Sequence, residues 1–164
     1  MTSKSKPLVY GAIIAAMYTV LTLVSFSFGL SGGVIQVRIS EALTILPFFT
    51  PYAISGLFAG CIISNILTGC ALWDIVFGSI ATLIGALITY ASGKIKNPKA
   101  CFLAPVGPIL SNTIIVPLIL TYVYGASEAY GFITLTVGIG ELVSAGIFGM
   151  VLLFALRKYK DRLF

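Results

Sequence analysis

Five long stretches with almost no charge restrict the fold of this chain more than any other feature. Each is longer than the roughly 18 apolar residues that mark a membrane-spanning helix. Charged residues make up 9% of the chain, against about 25% in soluble proteins. We therefore expect an all-α integral membrane protein that forms a single membrane domain over residues 1–164. The stretches are 8–28, 42–72, 75–93, 100–127 and 129–156, and only the last contains a charged residue, Glu141.

The stretch 42–72 is too long for a single crossing. As one α-helix it would measure about 46 Å at 1.5 Å per residue, well over the roughly 30 Å hydrocarbon core. Pro47 and Pro51 lie near its start, and proline removes a backbone donor and disfavours helix in the preceding residue. We therefore expect a turn at these prolines that divides the stretch between two helices.

Nine of the ten basic residues fall in three clusters along the chain. If all three are cytoplasmic, as the positive-inside rule predicts, the chain crosses the membrane an even number of times between the first two clusters. The first hydrophobic stretch is expected to be a full span rather than a cleaved signal peptide. The clusters are Lys4 and Lys6, then Lys94, Lys96 and Lys99, and finally Arg157, Lys158, Lys160 and Arg162.

This charge pattern predicts six transmembrane helices with the N- and C-termini in the cytoplasm. Arg38 is then the only basic residue outside. The acidic residues Glu41, Asp74 and Glu128 fall at the outer ends of helices. The predicted helices are approximately 8–28, 34–49, 52–70, 74–93, 102–124 and 131–156.

Arg38 and Glu41 stand three residues apart in a region otherwise free of charge. Charged side chains are costly where lipid replaces water, so those retained there are functional candidates. On a helix the two would be neighbours and could pair, which gives a structural interpretation as an ion pair that steadies a helix end. The functional interpretation is that they help to close a ligand site, with Gly29, Gly32 and Gly33 as a flexible lid.

The residue types that the chain lacks exclude several classes of protein. It contains no histidine, which excludes Ser-His-Asp triads and histidine-based metal sites. Cys61, Cys70 and Cys101 have no CxxC spacing, and no Gly-rich loop with a lysine is present to hold nucleotide phosphates. We therefore expect no catalytic residues, no metal, no cofactor and no nucleic-acid partner.

Four sequence motifs carry a resemblance to a known family. They are QVRISEALTILP (36–47), WDIVFGSIATLIGA (73–86), SNTIIVPLIL (111–120) and GELVSAGIFGM (140–150). With these motifs in order, from about residue 10 to residue 156, the chain resembles the QueT family of substrate-binding S components of energy-coupling factor (ECF) transporters.

The resemblance implies a function in uptake. It implies a multi-pass protein of the cell membrane, surrounded by lipid, that binds a queuosine precursor, a 7-deazaguanine such as preQ1, preQ0 or queuine. It also implies a complex with a transmembrane coupling subunit and two cytoplasmic ATPases, in which the S component reorients to release its ligand inside. Two alternatives stay open: an S component for another heterocycle such as riboflavin or thiamine, and a membrane protein that is not a transporter.

Ala12 and Ala16 are the candidates for contact with the coupling subunit. They lie on one face of the first predicted helix, at the spacing that lets two helix backbones approach closely in a membrane. S components resemble one another in using such an Ala-xxx-Ala patch for docking. The alternative is ordinary packing against another helix of the same chain.

Glu141 is the leading candidate for ligand binding. It lies about 14 Å along the sixth predicted helix from Phe132 at 1.5 Å per residue, where an unpaired charge is costly. One edge of a deazaguanine presents a ring N–H and an exocyclic amine, and a carboxylate can accept both in charge-assisted hydrogen bonds. The alternative is a protonated or internally paired glutamate that serves packing. Asn112, in the middle of the fifth helix, is a further candidate because its amide needs partners there.

Further candidates lie towards the outer end of the predicted bundle. Asp74 is expected either to cap the fourth helix, where it complements the helix dipole, or to contact the ligand. Trp73 and Tyr124 are expected either to stack on a flat heterocycle or to anchor the protein at the interface. Asn65, near the outer end of the third helix, is a weaker polar candidate.

Gln36, Arg38 and Glu41 are assigned to the outer half of the second helix or to the loop before it. They complete the predicted substrate-binding set. If the ligand carries an aminomethyl cation, Glu41 or Asp74 is its expected partner, and Arg38 orients that carboxylate.

Overall fold

The computed structural model describes residues 5–31 and 36–159. Across these residues every regular element is a helix, which confirms the all-α prediction. The α-helices are α1 (Ser5–Ser27), α2 (Tyr52–Leu67), α3 (Ser79–Gly93), α4 (Val106–Tyr122), α5 (Tyr130–Glu141) and α6 (Gly149–Arg157). Shorter segments join them: the 3-10 helices Ile39–Phe48 and Pro98–Leu103, and the π-helical segments Asp74–Gly78 and Leu142–Phe148.

Four helical stretches of the described chain are long and apolar enough to cross a membrane. Their outward faces carry exposed Leu, Ile, Val and Phe side chains, as expected where a helix faces lipid rather than water. Two further apolar helices, Ile39–Phe48 and Tyr52–Leu67, are shorter. The four long stretches are Lys6–Ser27, Asp74–Gly93, Pro98–Tyr122 and Tyr130–Arg157.

Helices α1 and α2 run parallel and pack closely through small residues. Gly11 lies against Ser55 near the start of α2, and Ala15 lies against Gly60 one turn further along both helices. A Cβ on Gly60 would come within 2.9 Å of the Ala15 carbonyl oxygen, so glycine is required for this approach. Lipid provides no hydrophobic driving force between helices, so helices in a membrane associate through close packing, which small residues allow. Because the two helices are parallel, the chain between them has to return along the bundle.

That return is made by the strap, defined here as residues 36–38, and by the 3-10 helix Ile39–Phe48. The helix begins beside the end of α1, where the backbone N–H of Ile39 donates to Ser25 Oγ at 2.9 Å. All residues from 40 to 47 are buried, and the helix packs against α1, α3 and α6. The return segment therefore lies in the centre of the bundle.

The sequence predicted an ordinary helix over 34–49, and the structure differs. Residues 34 and 35 lie outside the described chain, Arg38 is extended with φ −111° and ψ 108°, and Pro47 lies inside the 3-10 helix. A 3-10 helix advances about 2.0 Å per residue instead of 1.5 Å. A short segment can therefore span a greater length along the bundle. Its burial against other helices protects the less regular backbone.

Charged side chains are separated along the bundle. At the acidic end, α1, α2 and α4 finish and α5 begins; at the basic end, α1 begins and α6 finishes. The Arg157 guanidinium approaches Cys101 Sγ at 3.9 Å, which joins two basic segments at that end. In the described chain, the residues at or towards the acidic end are Glu41, Asp74, Glu128 and Glu141, with Arg38, and those at the basic end are Lys6, Lys94, Lys96, Lys99, Arg157 and Lys158.

Candidate functional site

Five of the predicted site residues line one enclosed cavity in the half of the bundle towards the acidic end. The cavity measures about 30 Å³, which is room for one or two water molecules. The strap, the 3-10 helix, α4 and α5 each contribute to its polar wall. The five residues are Gln36, Arg38, Glu41, Asn112 and Glu141, and the remaining lining residues are Gly78, Thr82, Val116 and Val137.

Glu41 is held by a tyrosine from α1. The Tyr18 hydroxyl donates to Glu41 Oε1, and the two side chains are only 1% and 2% exposed. Thr44 donates its hydroxyl to the Glu41 carbonyl oxygen at 2.6 Å, which steadies the start of the 3-10 helix. The carboxylate is therefore held by Tyr18 of α1, while Thr44 holds the backbone that carries it.

Glu141 is held in the same way by an amide from α4. Asn112 Nδ2 donates to Glu141 Oε1 at 3.0 Å, and Glu141 is 9% exposed. The second oxygen, Oε2, of both Glu41 and Glu141 is buried without a hydrogen-bond partner among the described residues. Buried polar atoms are nearly always paired in proteins. Two such acceptors on one cavity therefore indicate a place for donors from outside the chain.

Arg38 supplies the positive charge of the cluster. Its backbone N–H donates to Ser144 Oγ at 3.1 Å, so the strap is attached to the π-helical segment that follows α5. Within the described residues no ion pair lies inside 4.0 Å, yet Arg38 attracts both Glu41 and Glu141. The arginine therefore acts on the carboxylates across the cavity rather than by direct contact.

The strap separates this cavity from a larger one. The second cavity measures about 190 Å³ and shares Gln36 and Val137 with the first. Glu128 and Phe132 lie on its other walls, towards the acidic end. The backbone of Gln36 sits so close to Gly140 that a Cβ there would collide with the Gln36 carbonyl oxygen. Gln36 of the strap therefore borders both cavities.

Three of the predicted ligand residues lie together at the acidic end, outside the enclosed cavity. Tyr124 donates its hydroxyl to Asp74 Oδ2 at 2.8 Å in an exposed pair. The pKa of Tyr124 is raised above its ordinary value of 10.0, first by desolvation and then by the hydrogen bond to Asp74. Trp73 is 51% exposed and stacks on Phe77 with ring centres 5.8 Å apart. Asp74 lies in the first turn of its helix, where a negative charge complements the dipole.

Asn65 is buried but takes a structural position. Its amide donates to the backbone carbonyl oxygen of Asp74 at 3.3 Å and lies 3.6 Å from Cys61 Sγ. It lines a separate cavity of about 80 Å³ on the other side of Arg38. Asn65 therefore ties α2 to the start of the next span, and it borders the cluster beside Gly78 and through Cys61, which Thr82 also contacts.

The predicted docking residues lie within α1, and Gly29 of the predicted lid follows the end of this helix. Ala12 and Ala16 are both exposed, on the face of α1 turned away from α2, so they take no part in the close packing of these two helices. Gly29 follows α1 with φ +70°, a conformation that favours glycine. Gly32 and Gly33 lie outside the described residues.

Sequence reasoning missed two polar residues of the cluster. Tyr18 stands in the middle of an apolar span, where a hydroxyl needs a partner, and this was a signal that could have been used. Thr82 donates to Cys61 Sγ at 3.4 Å and to the Gly78 carbonyl oxygen at 3.1 Å, and it lines the enclosed cavity. A threonine in a membrane helix is too common to be singled out from sequence alone.

Comparison with known proteins gives one family and one relative. The chain matches the family model described as QueT transporter over residues 8–158. The queuosine precursor transporter QueT of Lactococcus lactis subsp. cremoris (strain MG1363) is 39% identical over 83 residues, which are 50% of this chain and 48% of that relative. The match thus spans about half the length of the relative. No solved structure gives a significant match. The matched family is one of transporters and not of enzymes, as the sequence predicted.

Proposed function

Because the chain belongs to the QueT transporter family, we propose that it is the substrate-binding S component of an ECF-type ABC transporter for a queuosine precursor. The substrate is a 7-deazaguanine such as preQ1, preQ0 or queuine, a choice supported by the name of the Lactococcus relative. The observation that carries the proposal is the pair of buried carboxylates, Glu41 and Glu141, each with one oxygen that lacks a partner among the described residues.

Glu141 and Asn112 form the part of the site that reads the flat base. The Glu141 carboxylate, whose Oε2 is free, accepts from the ring N–H and exocyclic amine of the deazaguanine edge, in hydrogen bonds strengthened by its charge. Asn112, already bonded to Oε1, fixes the carboxylate plane. Held in this way, the pair loses little side-chain freedom when the ligand binds, which favours affinity.

The strap is the gate of this site. A cavity of about 30 Å³ is too small for a bicyclic base, whereas the neighbouring cavity of about 190 Å³ lies directly behind Gln36. Outward movement of Gln36 would admit the base to the carboxylates, and its return would close the site. Gly29, with its positive φ, provides the hinge at one end of the loop that carries the strap, as the lid hypothesis requires.

The protein crosses the cell membrane six times, with both termini in the cytoplasm. Four crossings are the long helices, and α2 provides a fifth of about 24 Å. The sixth is the return segment: its ten 3-10 residues at about 2.0 Å cover about 20 Å, and the strap before them lengthens the crossing. Its burial supports this role, since irregular backbone is tolerated at membrane depth only inside protein. The basic end then faces the cytoplasm.

Ala12 and Ala16 form the docking patch for the coupling subunit, which acts with two cytoplasmic ATPases. Their exposure supports contact with another protein rather than packing within the chain. Ala12→Trp is expected to abolish uptake in cells while the purified protein binds its ligand as before. Ala91→Trp, at an exposed position of α3 that lines neither cavity, offers a control for the bulk of the added ring. Loss of ligand binding in Ala12→Trp would contradict the docking role.

The proposed function is tested by calorimetry on the purified protein. We expect tight binding of at least one of preQ1, preQ0 and queuine, and none of guanine, riboflavin or thiamine at the same concentration. Glu141→Gln should weaken the binding about ten- to a hundredfold, the value of a hydrogen bond to a charged group. Binding of riboflavin or thiamine alone would keep the fold and overturn the substrate. No binding by any of the six would overturn the S-component assignment.

A further inference from the structure

The buried cluster holds more negative than positive charge. Glu41 and Glu141 are carboxylates, and among the described residues Arg38 is the one guanidinium that lines their cavity. Arg38 attracts both carboxylates, while the carboxylates repel each other. When both are ionised, the cluster carries one unbalanced negative charge inside the bundle. An unbalanced charge is costly there because the surroundings cannot solvate it as water does.

A ligand with one positive charge removes this imbalance, and a neutral ligand does not. With a neutral ligand, either the excess charge stays buried or one carboxyl group takes up a proton. A protonated carboxyl loses part of its capacity to accept hydrogen bonds, so the second outcome weakens the contact with the base. The charge count of the cavity therefore favours a cationic ligand.

The charge distribution around the cavity favours a cation in the same way. In the described chain every acidic side chain lies at or towards the acidic end, where Arg38 is the one basic residue. Glu128 borders the larger cavity. This cavity lies between the strap and the acidic end. Fields of one sign around a cleft raise the local concentration of ligands with the opposite charge. A cation is thus attracted along the whole route.

The two carboxylates suit different parts of such a ligand. Glu141 lies beside the Asn112 amide, and an acceptor next to an amide matches the edge of a flat base. Glu41 is held through Oε1 by Tyr18, and its free Oε2 is a single strong acceptor, suited to a compact donor such as an ammonium group. Asp74, the other predicted partner of a cation, already accepts from Tyr124 outside the cavity.

We propose that this site selects 7-deazaguanines that carry an aliphatic ammonium group over neutral ones, with Glu41 as the partner of the ammonium. The inference rests on the proposed function and specifies its substrate class. Arg38 balances the second carboxylate, so the complete site with ligand is neutral: two carboxylates face one guanidinium and one ammonium.

The test compares two ligands that share one ring system. preQ1 carries an aminomethyl group that is protonated at neutral pH, and preQ0 carries a neutral nitrile at the same position. Calorimetry on the full-length protein should show preQ1 bound at least tenfold more tightly than preQ0. Glu41→Gln, which keeps the size of the side chain, should weaken preQ1 about ten- to a hundredfold and change preQ0 less than threefold. Asp74→Asn should leave both affinities within about twofold.

Each outcome has a separate meaning. If preQ0 binds as tightly as preQ1 to the unaltered protein, charge selection is wrong while the proposed function stands. If none of preQ1, preQ0 and queuine binds, the proposed function itself fails. If preQ1 is preferred but Glu41→Gln weakens both ligands equally, Glu41 is not the partner of the ammonium. The comparison of preQ1 with preQ0 needs no variant, so it decides the main point even if Glu41→Gln fails to fold.

Discussion

Tyr18 with Glu41 and Tyr124 with Asp74 are the same chemical pair in opposite surroundings. In both, a tyrosine hydroxyl donates to a carboxylate. The first pair is almost completely buried between α1 and the 3-10 helix, whereas Tyr124 of the second pair is 41% exposed. In the buried pair the other carboxylate oxygen has no partner among the described residues. In the exposed pair water can supply one.

This difference shows why a hydrogen bond alone does not identify a binding site. Hydrogen bonds between exposed groups replace bonds to water and are worth little, while a buried acceptor without a partner is costly. Glu41 and Glu141 therefore gain far more from a ligand donor than Asp74 does. Matched substitutions in the two regions test this contrast between the buried carboxylates and Asp74.

The largest difference is expected in ligand affinity between Glu141→Gln and Asp74→Asn. The first change removes the charge from a buried acceptor of the proposed site and should weaken deazaguanine binding about ten- to a hundredfold. The second removes a similar charge outside the cavity and should change affinity less than about twofold. Calorimetry on both purified variants measures this. Equal losses of ligand affinity in the two variants would mean that neither carboxylate alone holds the ligand.

Tyr18→Phe and Tyr124→Phe compare the two tyrosines directly. Tyr18→Phe leaves Glu41 without its donor and should lower the free energy of unfolding by about 1.5–3 kcal/mol. Tyr124→Phe changes a surface position and should stay within about 0.5 kcal/mol. Thermal unfolding followed by fluorescence in detergent gives both values. A larger loss for Tyr124→Phe would mean that the exposed pair, and not the buried one, holds the bundle together.

Two glycines of α5 provide a third comparison. A Cβ at Gly140 collides with the Gln36 carbonyl oxygen, while one at Gly131 meets nothing within 4 Å. Gly140→Ala should therefore cost about 1–3 kcal/mol through displacement of the strap, and should also alter ligand affinity. Gly131→Ala should be neutral or stabilise by up to about 1 kcal/mol, because alanine favours helix. Similar stabilities for both variants would show that the strap is free to move away from α5.

The smallest effect is expected in the pH dependence of the exposed pair. The pKa of Tyr124 lies above its ordinary value of 10.0 in the folded protein. Its contribution to stability is therefore fully present below about pH 10 and is lost as the pH rises through the folded value. Thermal unfolding between pH 7 and pH 11 should show a small loss at the upper end that is absent in Tyr124→Phe. A loss of stability below pH 9 in both proteins would have another origin.

Sequence alone singled out the charged residues that line the cavity because an ionisable group inside an uncharged stretch has to be buried and partnered. Arg38, Glu41 and Glu141 are of this kind, and the structure places all three on one cavity with Gln36 and Asn112. Asp74 and Tyr124 were singled out in a similar way, as polar side chains next to apolar stretches. Their separation from the cavity depends on how α3 and α4 pack. The pattern of hydrophobic residues in the sequence does not encode this packing.

The return segment shows a second limit of the sequence. Residues 39–48 are apolar enough for any buried helix, and hydrophobicity does not distinguish an α-helix from a 3-10 helix. The parallel packing of α1 and α2 through Gly56 and Gly60 makes a direct return necessary, and this is a tertiary constraint. Tyr18 was missed for a related reason, since its partner Glu41 lies 23 residues away in sequence.

The decisive measurement is a structure of the protein with preQ1 bound. We expect the base against Glu141 and Asn112, the aminomethyl nitrogen within hydrogen-bonding distance of Glu41 Oε2, and Gln36 displaced from its present position. A ligand held instead by Asp74, Trp73 or Tyr124 at the acidic end, with the buried carboxylates unchanged, would contradict this expectation.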